Sequence, residues 1–193
     1  EAWKLRGDAN LALRNHYPAI EDYNRAEALK YSHASLYGGR AAAYAGLGRM
    51  TQALDGYTLA IKMRLDDPEP YFGRGKVLAY MNRYRDSVDD YDRAIALRPD
   101  FRDAYMARGV AYAELGDFER AVKDLTRALE MKPGDTEALL TRATAYRRLG
   151  RHDQAVADLD AVIKAKPGEA LVYLIRAASW TALGEHAKAL ADR

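Results

Sequence analysis

The chain has 193 residues and no cysteine, and its 30 Lys plus Arg against 28 Asp plus Glu leave a formal net charge of +2. With 49% apolar and 30% charged residues, it is too apolar for a disordered chain and too charged for a membrane protein. Near-balanced charge argues against nucleic acid as a partner, and the missing cysteine excludes disulfides, thiolate nucleophiles and cysteine-ligated zinc.

Pro99, Pro133 and Pro167 stand 34 residues apart, as do Gly116, Gly150 and Gly184, with Gly48 on the same grid two periods earlier. A fixed period of this length marks a repeat architecture. With Ala34, Pro68, Arg102, Thr136 and Ala170 as position 1, the chain reads as one domain of repeats 1–33, 34–67, 68–101, 102–135, 136–169 and a partial 170–193.

Each repeat predicts two helices, with positions 4, 8 and 11 on one face of the first and positions 20, 24 and 27 on one face of the second. Repeat one carries Trp3, Gly7 and Asn10, then Ala19, Tyr23 and Ala26. Repeat two carries Tyr37, Ala41 and Tyr44, then Ala53, Tyr57 and Ala60. Repeat three follows with Tyr71, Gly75 and Leu78, then Ser87, Tyr91 and Ala94. Repeat four has Tyr105, Gly109 and Tyr112, then Ala121, Leu125 and Ala128; repeat five has Leu139, Ala143 and Tyr146, then Ala155, Leu159 and Val162. The sixth shows Tyr173, Ala177, Trp180 and Ala189 and stops inside its second helix. Gly or Asn at position 15 supplies a left-handed residue ending the first helix, and Pro at position 32 ends the second. Small residues at position 8, facing small residues at 20 and 27, are expected to let the two helices approach. One hairpin cannot bury both faces, so the hairpins must stack.

Ten of the 14 tyrosines fall at positions 4, 11 or 24, so the aromatics follow the grid. This pattern resembles the tetratricopeptide repeat, with Trp-x2-Leu-Gly-x2-Tyr, then Ala-x3-Phe, Ala and Pro. Its clearest copy is Tyr105, Arg108, Gly109, Tyr112, Ala121, Leu125, Ala128 and Pro133. The resemblance covers the whole chain and implies an all-α fold, a right-handed α-α superhelix of antiparallel helix pairs. Arg14 and Tyr31 replace Gly and Pro in repeat one, and Leu65 replaces Pro in repeat two, so the turns at 14–17 and 31–34 are expected to be less regular. The chain begins with Glu1 rather than Met and lacks a polar capping helix near Arg193, so a longer protein is expected.

No catalytic constellation emerges, and the sequence reads as a non-enzyme without cofactor or metal. His16, His152 and His186 share position 17, but equivalent residues of adjacent repeats lie about 10 Å apart, too far to share a metal. Gly75-Lys76 is followed by Val77 and lacks the upstream glycine of a phosphate loop. No apolar run reaches the ~20 residues that would cross a bilayer.

One polar feature exceeds the signature. Position 7 is arginine in every repeat (Arg6, Arg40, Arg74, Arg108, Arg142, Arg176), and position 23 is Asp22, Asp90, Asp124, Asp158 and Asp192, broken by Gly56. Two readings stand: a ladder of Arg–Asp pairs fixing helix register, with position 26 arginines such as Arg25, Arg93 and Arg127 pairing along the second helix, or an arginine row for an acidic partner.

In proteins of this family, positions 2, 5, 6, 9, 12 and 13 of the first helices face a concave groove. The resemblance thus places Phe72, Met106, Leu140 and Leu174 (position 5), Lys76 and Val110 (position 9), Arg147 (position 12), and Tyr80 and Arg148 (position 13) on that face. Gly38, Gly39, Ala42, Ala45, Gly46, Gly73 and Ala107 would leave the wall low and smooth. Such a surface suits an apolar peptide or helix of a protein partner, with Arg147, Arg148 and Lys76 available to acidic groups; alternatively, the position 5 residues pack against the neighbouring repeat. The carboxylate clamp by which some members hold an acidic chaperone tail fails here, because Lys4 is followed by Asp8, Gly39, Glu69 and Gly73. Self-association, or service as an accessory domain of a larger enzyme or assembly machine, are the alternative functions.

Overall fold

The computed structural model describes residues 1–193 as twelve α-helices without a strand. They form two compact units, Glu1–Pro99 and Asp100–Arg193. The first holds α1 (Ala2–Ala12), α2 (His16–Ala28), α3 (Ala34–Gly46), α4 (Met50–Met63), α5 (Pro68–Tyr80) and α6 (Tyr84–Leu97). The second holds α7 (Arg102–Glu114), α8 (Phe118–Met131), α9 (Thr136–Arg148), α10 (His152–Ala165), α11 (Ala170–Ala182) and α12 (His186–Ala191). Within each unit consecutive helices pack as antiparallel pairs, each second helix packs on the next pair, and first helices touch one another. That is the neighbour-on-neighbour packing of a helical-hairpin solenoid.

The grid residues form the cores. In the first unit Tyr23, Ala19 and Ala26 of α2 pack with Leu36, Tyr37 and Ala43 of α3. In the second, Leu125, Leu159, Val162 and Val172 are almost fully buried. The close approach works differently from the expectation: the small residue at position 8 faces the large side chain at position 24. A Cβ on Gly7 would lie 2.8 Å from Tyr23 Cε1, one on Gly75 2.6 Å from Tyr91 Cε1, and one on Gly109 2.9 Å from Leu125 Cγ. Repeat two inverts the arrangement, with Ala41 at position 8 and the missing side chain at Gly56, whose added Cβ would stand 2.9 Å from Ala41 Cβ.

The first inter-helix turn is regular despite lacking glycine. Arg14 takes φ 60°, the conformation of Gly48, Gly116, Gly150, Gly184 and Asn82. Its turn makes the same bonds: Arg14 N–H to Leu11 O and Asn15 N–H to Asn10 O match Gly48 N–H to Ala45 O and Arg49 N–H to Tyr44 O. The pattern of a left-handed C-terminal cap outweighs a conformational cost of about 1–2 kcal/mol for a residue with a Cβ. The turn after α2 does depart: Lys30 is left-handed at φ 62°, whereas α4 and α6 end on an extended residue and α8 and α10 on one of similar φ, −145° and −140°. Carboxylates cap several starts, Asp67 accepting from Glu69 N–H and Asp135 from Glu137 and Ala138 N–H.

Candidate functional site

Two clefts open on the first-helix faces, one in each unit. The first, of 510 Å³, is lined by Ala42, Ala45, Gly46, Gly48 and Met50 of repeat two and by Tyr57, Gly73, Lys76, Val77 and Tyr80. The second, of 570 Å³, is lined by Val110, Ala113, Glu114, Gly116 and Phe118, and by Leu140, Thr141, Thr144, Ala145 and Arg148. Apart from Tyr57 and Leu140, each residue of the first has a counterpart 68 residues later in the second, two repeats on. Both are built the same way: positions 9, 12 and 13 of one first helix, the turn glycine, position 17 of the second helix, and positions 6, 9, 10 and 13 of the next first helix.

Lys76 and Tyr80 thus lie in the first cleft, and Val110, Leu140 and Arg148 in the second. Tyr80 is 74% exposed. Phe72 lies outside the cleft lining, half-buried, its ring tilted against Tyr91 at 6.0 Å and the Lys76 ammonium 4.7 Å from its centroid. Met106 is buried at 9% exposure, so it belongs to the core and does not continue an exposed row. Arg147 is half-buried and outside the second cleft's lining. Leu174 is 52% exposed on α11. Position 17, here Met50 and Phe118, escaped the sequence reading as a cleft position, because its histidines suggested turn packing. The ring of His16, at the same position in repeat one, presses against Gly46.

Nor do the position 6 glycines merely flatten the wall. They admit the position 24 tyrosine of the preceding repeat: a Cβ on Gly39 would lie 2.5 Å from Tyr23 Oη, and Gly73 abuts Tyr57 as closely. Burial pushes the Tyr57 hydroxyl up to about 12, with the Glu69 charge adding to the effect.

The arginine row is a ladder. Arg74 holds Asp90, Arg142 holds Asp158 and Arg176 holds Asp192, each through Nε and Nη2 to both carboxylate oxygens at 2.6–2.8 Å. Arg6 grips Asp22 and Arg108 grips Asp124 in the same fork. The hydrogen bond donated by Arg6 holds the Asp22 carboxyl below its usual range, and donating to the Asp158 carboxylate raises the Arg142 guanidinium. The third arm reaches back one repeat, Arg74 Nη1 to Thr58 at 3.1 Å, Arg142 Nη1 to Thr126 at 3.0 Å and Arg176 Nη1 to Asp160 at 2.5 Å. Where Gly56 removes the aspartate, Arg40 turns wholly backward to Asn24 and Glu27. Two of the position 26 arginines do not take the expected position 23 aspartate of their own helix: Arg25 lies over the Trp3 ring, and Arg127 pairs one turn onward along α8 with Glu130.

No group of three His, Cys, Asp or Glu side chains is placed to hold a metal ion, and no helix is long and apolar enough to cross a membrane.

Two family models described as tetratricopeptide repeat match residues 72–136 and 112–178, together more than half the chain. The chain belongs to the tetratricopeptide repeat family. Among solved structures it is similar to YrrB, described as a tetratricopeptide repeat protein with an unusual peptide-binding site, at TM-score 0.82 and 22% identity over 90% of this chain and 89% of that one. It is also similar to MamA from Desulfovibrio magneticus RS-1, at TM-score 0.78 and 20% identity over 82% and 90%. A tetratricopeptide repeat protein from Parabacteroides merdae matches at TM-score 0.79 and 20% identity over 100% and 76%. No curated protein matches the sequence. The fold is one that supports a protein–protein interaction scaffold, and members of the family are in general not enzymes.

Proposed function

We propose that the chain is a non-enzymatic scaffold that binds apolar segments of a partner polypeptide on its first helices, with a cleft in each unit as a binding site. The observation that carries this reading is the recurrence of one apolar-walled cleft at the same repeat positions in both units. A concave recess of several hundred Å³ with a mostly apolar wall accepts side chains of the size of Leu or Phe. The description of YrrB as carrying a peptide-binding site accords with this reading.

The test is selection of a displayed random-peptide library on the folded chain, repeated with Ala45→Trp, which fills the first cleft, and Val110→Trp, which fills the second. Selected peptides should lose binding to one or other variant while circular dichroism and melting stay unchanged. Peptides that bind both variants as well as the parent chain would place the site elsewhere.

Self-association is the second reading, supported by exposed Leu171 and Leu174 on α11 and Leu190 on α12, at 64%, 52% and 67%. Sedimentation over a hundredfold range of concentration separates it, since a scaffold without self-association keeps one sedimentation coefficient.

A further inference from the structure

The two clefts occupy equivalent places, so what differs between them is chemistry. The second carries an acid and a base, Glu114 and Arg148, where the first has Gly46 and Tyr80. The first therefore has a single charged group, Lys76, where the second has Thr144. Lys76 is exposed, and no carboxylate of the chain pairs with it. It is the exception on the first helices of its unit. Lys4 pairs with Asp8 at 2.7 Å, Arg6 with Asp22, Arg40 with Glu27 and Arg74 with Asp90. The ammonium is held at the wall by the face of Phe72, 4.7 Å from the ring centroid. Phe72 lies one helical turn before Lys76 and Tyr80 one turn after, so apolar surface flanks the charge on both sides along α5.

We infer that the first cleft selects a segment in which an Asp or Glu stands between two apolar side chains, its carboxylate on Lys76 Nζ and its apolar neighbours against Phe72 and Tyr80. This rests on the peptide-binding reading above and adds what the peptide must carry. A lone ammonium matches one carboxylate; a phosphate group calls for the multiple donors of an arginine fork, and here the arginines of α3 and α5, Arg40 and Arg74, are committed to Glu27 and Asp90, while Arg49 beside the turn lies over the Tyr17 ring. Apolar surface on both sides of Lys76 fits a side chain inside a segment rather than a chain terminus. An exposed ion pair of this kind is worth a factor of about 2–5 in affinity, and charge reversal, which adds repulsion, about tenfold.

The experiment uses the whole chain and a library of random decapeptides displayed with both ends fused, so that no free carboxyl terminus is present. Acetylated, amidated synthetic copies of the selected peptides are then measured by fluorescence anisotropy against the parent chain, Lys76→Glu and Ala45→Trp. Lys76 is exposed, so its reversal leaves the fold intact, checked by circular dichroism. The expected result is enrichment of apolar–acidic–apolar triplets, about tenfold weaker binding to Lys76→Glu, weakening with salt in the parent chain, and Lys or Arg replacing the acid when Lys76→Glu is the bait. Selected peptides that lose binding to Ala45→Trp but show no acidic preference, or bind Lys76→Glu unchanged, overturn this inference and leave the peptide-binding reading standing. A free C-terminal or phosphorylated version that binds better than the internal acid also overturns it. Failure to select any peptide removes both.

Discussion

Arg74 grips Asp90 by both carboxylate oxygens, Nε to Oδ2 at 2.8 Å and Nη2 to Oδ1 at 2.7 Å, sixteen residues away across its own helical hairpin. The same guanidinium reaches Thr58, sixteen residues back in the preceding repeat. One side chain thus fixes the register within a pair and ties that pair to the one before. Asp90 is 5% exposed, so its charge is tolerable only while the fork is in place. Asp90→Ala should strand a partly buried guanidinium and cost about 2–3 kcal/mol, less than a fully buried pair because Arg74 retains some contact with water. In a chain of this length that is roughly 5–10 °C in Tm, read by calorimetry. An unchanged melt would remove the ladder from the forces holding the repeats together.

Two glycines on neighbouring first helices should respond to alanine with opposite signs. Gly75 in α5 has the Tyr91 ring where its Cβ would go, at 2.6 Å from Cε1 and 2.9 Å from Cδ1. Tyr91 is 1% exposed and cannot swing aside, so Gly75→Ala should destabilise by about 1–3 kcal/mol despite the better helix propensity of alanine. Gly38 in α3 meets only Ala60 Cβ, at 4.0 Å, so Gly38→Ala should stabilise by about 0.5–1 kcal/mol. Urea midpoints of the two variants decide it. A stabilising Gly75→Ala would mean that Tyr91 moves freely.

How far the sequence reached follows from which contacts it encodes locally. The 34-residue period exposes the twelve helices, and the Arg–Asp ladder is visible because its members sit at fixed positions, 7 and 23, in nearly every copy. Contacts between copies were harder to see. Gly39 and Gly73 look like empty wall until Tyr23 and Tyr57 of the preceding repeats are found resting on them. The backward arms of Arg40, Arg74, Arg142 and Arg176 end on position 25 of the preceding repeat, and a position that varies among Asn24, Thr58, Thr126 and Asp160 carries no periodic signal of its own. Met106 shares its position with exposed Leu174 yet is buried, because the same repeat position meets different neighbours along the stack. Met50 and Phe118 entered the clefts unforeseen, since cleft rims are made jointly by two repeats and no single-repeat periodicity marks them.

The buried tyrosines at position 24 give the chain an alkaline limit. Burial raises the Tyr57 hydroxyl to about 12 and raises Tyr23 and Tyr91 likewise, against an ordinary value of about 10. Each ring stays neutral in the folded chain while the unfolded chain loses its proton near pH 10. The stability contributed is therefore whole below pH 10 and is lost as pH climbs from about 10 through about 12. For Tyr57 the loss is at most about 2–3 kcal/mol. Tyr57→Phe cannot ionise, so its stability should track the parent chain at pH 7 and 9 and exceed it increasingly between pH 10.5 and 12. The other groups that titrate in this window are common to both proteins and cancel in the difference. Urea unfolding across this series reads the effect, and a parent-to-variant difference that stays constant from pH 7 to 12 would show that the Tyr57 hydroxyl is open to water.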